Sequence, residues 1–245
     1  MMLITGGTGS IGREIAAQAL EAGWRVVVHG RTQDSVDTVI KGFTRQPTDM
    51  VGYAGNAFAE GAVPSIVERA ASSFGRIDAV VDCVTGGPPG VVGRFVDTDP
   101  AGYPCLLDAS VAHIQRLAHA ALPWLARRGG TLIAFASDAG RFAAPGQAAI
   151  GASRAGIMGF VRNLAMDAAQ DGVRVHCIAP GFVEGSASLV RTEARAPDRV
   201  AKARMRAGLG LPTPADIAPL VLFLCGDGAR KVTGQIISVN GGLNA

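Results

Sequence analysis

The sequence predicts an α/β fold: one doubly wound domain with a seven-stranded parallel sheet. Three observations predict it. Short runs rich in Val and Ile alternate with longer amphipathic stretches from end to end. A glycine-rich turn follows the first apolar run directly. The chain has 245 residues, 48% hydrophobic and 18% charged, which fits a single large core.

The elements follow in order. Leu3-Ile4 is the first strand, and residues 11–22 form the first helix. Arg25–His29 is the second strand and residues 33–42 the second helix. Met50–Tyr53 and a helix over 60–74 come next, then Ile77–Cys83 and a long helical stretch over 101–127. Thr131–Ala136, a helix over 148–171, Val173–Ala179, a helix over 214–225 and Gln235–Val239 complete the pattern. The strand runs are bounded by Gly, Asp or Pro, which stop the extended chain. Strands that each lead into a helix must cross over to a parallel neighbour, right-handedly, so the helices cover both faces of the sheet. This is the Rossmann-type, doubly wound arrangement, with residues 1–245 as one domain. Residues 184–211 break the alternation with Gly185-Ser186-Ala187-Ser188 and a basic, Ala-rich helical stretch. A segment of that kind beside a strand end is expected to be a mobile lid over the ligand crevice.

Composition narrows the function. A formal charge of +3 with no run of like charges argues against nucleic acid as a partner. Arg199, Lys202, Arg204 and Arg206 read as a solvated helix face. No apolar run approaches the ~18–20 residues that span a bilayer. The opening Met-Met-Leu-Ile carries no charged leader or cleavage site, so a cytoplasmic location is expected. Cys83, Cys105, Cys177 and Cys225 lack C-x-x-C spacing and are expected to be buried, reduced thiols. His29, His113, His119 and His176 show no ligand spacing, so no metal is expected.

The turn Thr5-Gly6-Gly7-Thr8-Gly9-Ser10-Ile11-Gly12 carries the chemistry. Glycines let the backbone turn tightly and let a pyrophosphate reach the free N–H groups at a helix N-terminus. The second strand ends in His29-Gly30-Arg31-Thr32, with no acid to bind a ribose 2′-hydroxyl. Arg31 can pair with a 2′-phosphate, so NADP(H) is the expected dinucleotide.

Several further motifs span the chain: Phe74-Gly75-Arg76-Ile77-Asp78, Pro145-Gly146-Gln147-Ala148-Ala149, Ile178-Ala179-Pro180-Gly181-Phe182-Val183, Val232-Thr233-Gly234-Gln235 and Asn240-Gly241-Gly242. With the glycine turn, they make the whole chain resemble the short-chain dehydrogenase/reductase family. The resemblance implies dinucleotide contacts from Gly6, Thr8, Gly9, Ser10, Ile11 and Gly12. It implies further contacts from Arg31, Thr32, Asn56, Ala57, Cys83, Val84, Arg154, Pro180 and Val183. It also implies a pair of subunit-pairing helices, so a homodimer or homotetramer is expected.

The catalytic pattern of the family is only partly present. Ser137 matches the serine that hydrogen-bonds the substrate carbonyl. The family's Tyr-x-x-x-Lys falls on Ile150 and Arg154, its helical Asn on Ser110, and its Asn-Asn-Ala-Gly on Asp82-Cys83-Val84-Thr85. Isoleucine has no proton to give, and arginine stays protonated. Neither Tyr53 nor Tyr103 is placed to substitute. Asp138 is expected to be a solvated loop acid, and His113 to pack. Ile150, Phe142, Phe182 and Ser110 are expected to line an apolar substrate site.

These residues fit an atypical NADP(H)-dependent reductase of a hydrophobic or polycyclic ketone, with the proton supplied by water or by the substrate. Two alternatives stay open: a non-redox dehydratase, isomerase or cyclase on the same scaffold, and a catalytically inactive binding protein.

Overall fold

Seven strands form the centre: β1 (Met2–Thr5), β2 (Val26–Gly30), β3 (Met50–Ala54), β4 (Ala79–Asp82), β5 (Thr131–Phe135), β6 (Arg174–Pro180) and β7 (Ile236–Val239). In this computed structural model, which describes residues 1–43, 48–84 and 86–244, every strand pair is parallel and the order is β3-β2-β1-β4-β5-β6-β7. The doubly wound sheet read from the sequence is the one found.

Alternation along the strands builds two cores. Leu3, Val27, Val80 and Leu132 face one side, where α3 (Ala62–Phe74), α5 (His113–Leu125) and α6 (Ala148–Ala168) cover them. Met2, Ile4, Val28, Val81 and Ile133 face the other side, under α1 (Ser10–Glu21), α2 (Gln33–Lys41) and α9 (Pro214–Cys225). The central strands β1, β2, β4 and β5, and β6 beyond Arg174, are buried on both faces, which explains why these runs read as nearly continuous apolar residues, while the edge strands β3 and β7 are only partly covered.

Two expected elements are divided. The stretch over 101–127 begins with a 3-10 turn at Pro100–Gly102 and continues as α4 (Tyr103–Leu107). It widens into a π-helical segment at Asp108–Ala112, and only then becomes α5. Ser110 Oγ donates to the Leu106 carbonyl at 2.5 Å, competing for the acceptor that an α-helical Ser110 N–H would take. The segment over 184–211 holds two helices, α7 (Ala187–Arg195) and α8 (Pro197–Arg206), divided where Pro197 disfavours helix in the residue before it. Leu189, Val200 and Ala203 are buried, so the segment is seated on the body of the protein at those points. Arg204 pairs with Glu184 and Glu193, so the basic face there is partly neutralised.

All four cysteines are free. Cys177 and Cys225 are buried, and burial pushes both thiols up to about 12. Cys105 is exposed, on the outer side of the short α4, and Cys83 is only partly buried after β4, which corrects the expectation that all four are buried. No described helix is long and apolar enough to cross a membrane, and no cluster of metal-ligating side chains occurs among the described residues.

His176 gives the fold a pH dependence. It is fully buried on β6, and neither ring nitrogen makes a well-formed hydrogen bond among the described residues, although the nearby Val232 backbone offsets a small part of the burial. Burial, aided by the Arg174 charge, lowers its pKa from 6.5 to about 4. Between those values the unfolded chain takes up a proton that the folded chain refuses, so stability falls as pH drops from about 6.5 towards 4. Urea unfolding at a series of pH values is expected to show a shallower acid loss for His176→Leu than for the wild type. Equal slopes would remove His176 as the cause.

Candidate functional site

The strand order reverses between β1 and β4, which opens a crevice at the C-terminal ends of the strands. The glycine turn sits there. Gly6 has φ +66°, and a side chain on it would lie 2.6 Å from the Cys83 carbonyl, so only glycine lets the turn come this close to β4. Gly12 is equally enclosed: its missing Cβ would meet Gly7 Cα at 2.7 Å. Gly9 is different. It is exposed, and its nearest neighbour would be Gly6 O at 3.4 Å, so the space above it is open to a ligand. Gly9 caps α1 with no side-chain hydrogen bond, and the first turn of α1 holds no acid. The free N–H groups at Ser10, Ile11 and Gly12 therefore make an anion-favouring end.

Below the turn lies a buried polar cluster. Thr5 Oγ1 donates to Asp82 Oδ1 at 2.6 Å, the Val84 N–H donates to the same oxygen at 3.3 Å, and His113 Nε2 lies 3.2 Å from it. Phe58 closes over the His113 ring edge-to-face, with centroids 5.3 Å apart. His113 does pack, as expected, but it packs on a carboxylate.

Arg154 projects from α6 towards the same cluster. It forms no hydrogen bond or ion pair with any described residue. Burial pulls its guanidinium below the ordinary range, and the Asp82 charge works in the opposite direction. Such a cation still carries its proton. A half-buried cation with donors to spare and no partner among the described residues fits the hydroxyls or phosphates of a bound nucleotide.

The turn after β5 is locked to the start of α6. A side chain on Gly140 would lie 2.7 Å from Arg154 Cβ, and one on Gly151 would lie 2.7 Å from the Ala139 carbonyl. This contact fixes Ser137 relative to Ile150 and Arg154. Ser137 Oγ accepts from the Ala139 N–H at 3.3 Å, which leaves its own O–H free to donate. Ile150 is partly buried, and its carbonyl accepts from Ser153 Oγ at 2.9 Å. No tyrosine stands in for it: Tyr53 bonds to Ser73 on the β3 edge of the sheet, and Tyr103 bonds to Thr98.

The remaining predicted positions are spread around this edge. Arg31 and Thr32 are exposed beyond β2, and Thr32 Oγ1 caps α2 by accepting from the Ser35 N–H. Asn56 is exposed but turns its Oδ1 back to the Phe58 N–H, and Ala57 is buried. Cys83 and Val84 follow β4; Thr85 lies outside the described residues. Pro180 ends β6 opposite Val239, and Val183 is buried. Ser110 is buried with its hydroxyl spent on its own helix. Phe142 lines a cleft of about 570 Å³ with Phe95, Ala139 and Gln147, whose lining includes neither Ile150 nor Phe182. Phe182 lies instead beneath Arg199 of α8. The structure thus does not gather Phe142, Ile150 and Phe182 around one described cleft.

Asp138 corrects an expectation. It is buried, not solvated. Asn240 Nδ2 donates to Asp138 Oδ2 at 2.5 Å and Asn244 Nδ2 reaches it at 3.4 Å, while Oδ1 has no partner among the described residues. The C-terminal loop supplies this shell, a contact across 102 residues that no local pattern displays. Asn240→Ala should leave the carboxylate buried with one weak donor and cost about 1–3 kcal/mol or more. Urea unfolding checks this, and an unchanged midpoint would show that the pair contributes nothing.

Comparison with known proteins agrees with this architecture. A family model described as enoyl-(acyl carrier protein) reductase matches residues 6–244. Dehydrogenase/reductase SDR family member 4 of Bos taurus is 30% identical over 98% of this chain and 85% of its own. The 3-oxoacyl-[acyl-carrier-protein] reductase FabG of Thermotoga maritima is 26% identical, over 98% of this chain and 96% of its own. The solved actinorhodin polyketide ketoreductase with NADPH superposes with a TM-score of 0.87 at 26% identity, over 99% of this chain and 96% of that one. With a family match over nearly its whole length, and with the glycine turn and sheet order described above, the chain belongs to the short-chain dehydrogenase/reductase family of oxidoreductases.

Proposed function

We propose that this chain is an NADP(H)-dependent reductase of a ketone whose proton comes from water or from the substrate. One observation carries the reading: Arg154 is a half-buried cation with no partner among the described residues, at the crevice edge where the uncapped N-terminus of α1 also lies. The names of the FabG relative and of the polyketide ketoreductase, solved with NADPH, support the reaction class.

The residues divide the work. The α1 N-terminus and the open space over Gly9 suit a pyrophosphate. Arg31 suits the 2′-phosphate, and Arg154 the ribose hydroxyls. The reduced dinucleotide supplies the hydride when bound. Ser137, with a free O–H, donates to the substrate carbonyl oxygen. Ile150 gives that site an apolar wall and no acid. A positioned general acid contributes roughly 10²–10⁴-fold, so its absence slows reduction without forbidding it. A substrate with a hydroxyl beside the ketone offsets part of that loss. The same isoleucine favours a second reading, a family member that binds the dinucleotide without turnover. Assembly as a homodimer or homotetramer belongs to the main proposal, with light scattering as its measurement.

Fluorescence titration tests the cofactor. The wild type is expected to bind NADPH more tightly than NADH. Arg31→Ala should weaken NADPH by about 1.5–3 kcal/mol, or roughly 10–150-fold, and leave NADH nearly unchanged. Equal loss for both would exclude a contact with the 2′-phosphate.

Steady-state reduction tests the site. Ile150→Ala should change KM and leave the pH profile in place, because no titrating group is lost. Ser137→Ala should lower kcat/KM without abolishing turnover. A pH dependence that disappears in Ile150→Ala would contradict the proposal.

A further inference from the structure

The end of β2 is crowded in a way that bears on the choice of dinucleotide. The Gly7 N–H donates to the His29 carbonyl at 2.9 Å, which ties the glycine turn to β2. Thr8, the next residue, is thereby laid against Gly30. Gly30 is buried, and its φ lies outside the left-handed region, so backbone conformation does not demand glycine there. Space does. A Cβ at position 30 would lie 2.4 Å from Thr8 Cγ2, 3.0 Å from Thr8 Oγ1 and 2.9 Å from Val36 Cγ2. Two of these three atoms belong to Thr8.

The position matters because an acid at the end of the second strand accepts a hydrogen bond from a free ribose 2′-hydroxyl and repels a 2′-phosphate. Here Thr8 brings a hydroxyl to that place. Its Oγ1 makes no hydrogen bond among the described residues, and Gly30, against which it packs, is followed directly by the exposed Arg31. The pair therefore offers a hydroxyl donor and a guanidinium, where an acid would offer only an acceptor.

We propose that Thr8 fixes the preference of this chain for the 2′-phosphorylated dinucleotide, by filling the space that an acidic side chain at position 30 needs. The inference rests on the function proposed above and adds a second determinant to Arg31. It makes Thr8 and Gly30 an interlocked pair: neither can change towards NAD(H) use alone.

The test uses the full chain and five proteins: wild type, Gly30→Asp, Thr8→Ala, Thr8→Ala with Gly30→Asp, and Val36→Ala with Gly30→Asp. Thermal unfolding reads the interlock, and fluorescence titration with NADPH and with NADH reads the preference. Gly30→Asp is expected to lower Tm and to bind both dinucleotides weakly. Adding Thr8→Ala should restore most of the lost Tm and move the NADPH-to-NADH affinity ratio by about tenfold or more towards NADH. Adding Val36→Ala in its place should restore less of both. The inference is overturned if Gly30→Asp alone is as stable as the wild type and already prefers NADH. It is also overturned if Val36→Ala rescues where Thr8→Ala does not, or if the Thr8→Ala double variant shows no shift in ratio. A wild type that binds neither dinucleotide removes the proposed function and, with it, any role of Thr8 in cofactor choice; the Tm comparison then still reports whether the two residues interlock.

Discussion

The hydrogen bond from Thr5 to Asp82 crosses the one seam in this sheet where neighbouring strands are far apart in sequence order and run to opposite halves of the fold. Both ends of the bond lie where water is excluded, so the carboxylate must be satisfied by protein groups or not at all. Thr5, the Val84 N–H and His113 do so together. The glycine turn is thereby held against β4, α5 is held against the strand ends, and Phe58 is drawn over the outside. Removing the carboxylate would strand three polar groups at once, a larger loss than any one of its contacts suggests.

Charge is arranged around that seam with some economy. Asp82 is the carboxylate whose field reaches Arg154, since the other group that acts on it, Cys177, is held as a thiol by burial. Arg154 therefore meets a negative charge on the protein side without being quenched by direct pairing. An arrangement of this kind keeps a cation inside the crevice at tolerable cost and leaves its hydrogen-bond donors for a ligand. Ser137 is treated similarly. Its oxygen is engaged by the Ala139 N–H while its proton stays free, so its role is set by which half of the hydroxyl is already spent.

Much of this was legible in the sequence, for physical reasons. Strands buried on both faces must be apolar throughout, and Leu3, Val27, Val80 and Leu132 are so placed. The glycine turn was legible because only residues without a Cβ fit at Gly6 and Gly12. What escaped was chemistry assembled across the chain. Asp138 looks like a loop acid next to its sequence neighbours, and only the return of Asn240 from the far end of the chain makes it a buried one. Asp82 and His113 are 31 residues apart and became a pair only after the helix between them was placed. Phe142 and Phe182 were grouped by their residue type, but the turn after β5 and helix α8 send them to separate surroundings.

The π-helical segment at Asp108–Ala112 has an evolutionary side. A π-turn holds one residue more than an α-turn, so it behaves as an insertion absorbed inside a helix rather than in a loop. One residue corresponds to a rotation of about 100° around the axis. The faces before and after the segment are thus set independently: Leu106 goes into the core while His113 turns onto Asp82. A descendant that lost a single residue here would keep an uninterrupted helix and its packing at one end, yet present a different side chain to the carboxylate. The helix over the strand ends is in this sense a dial, whose setting can change by deletion without any substitution in the site itself.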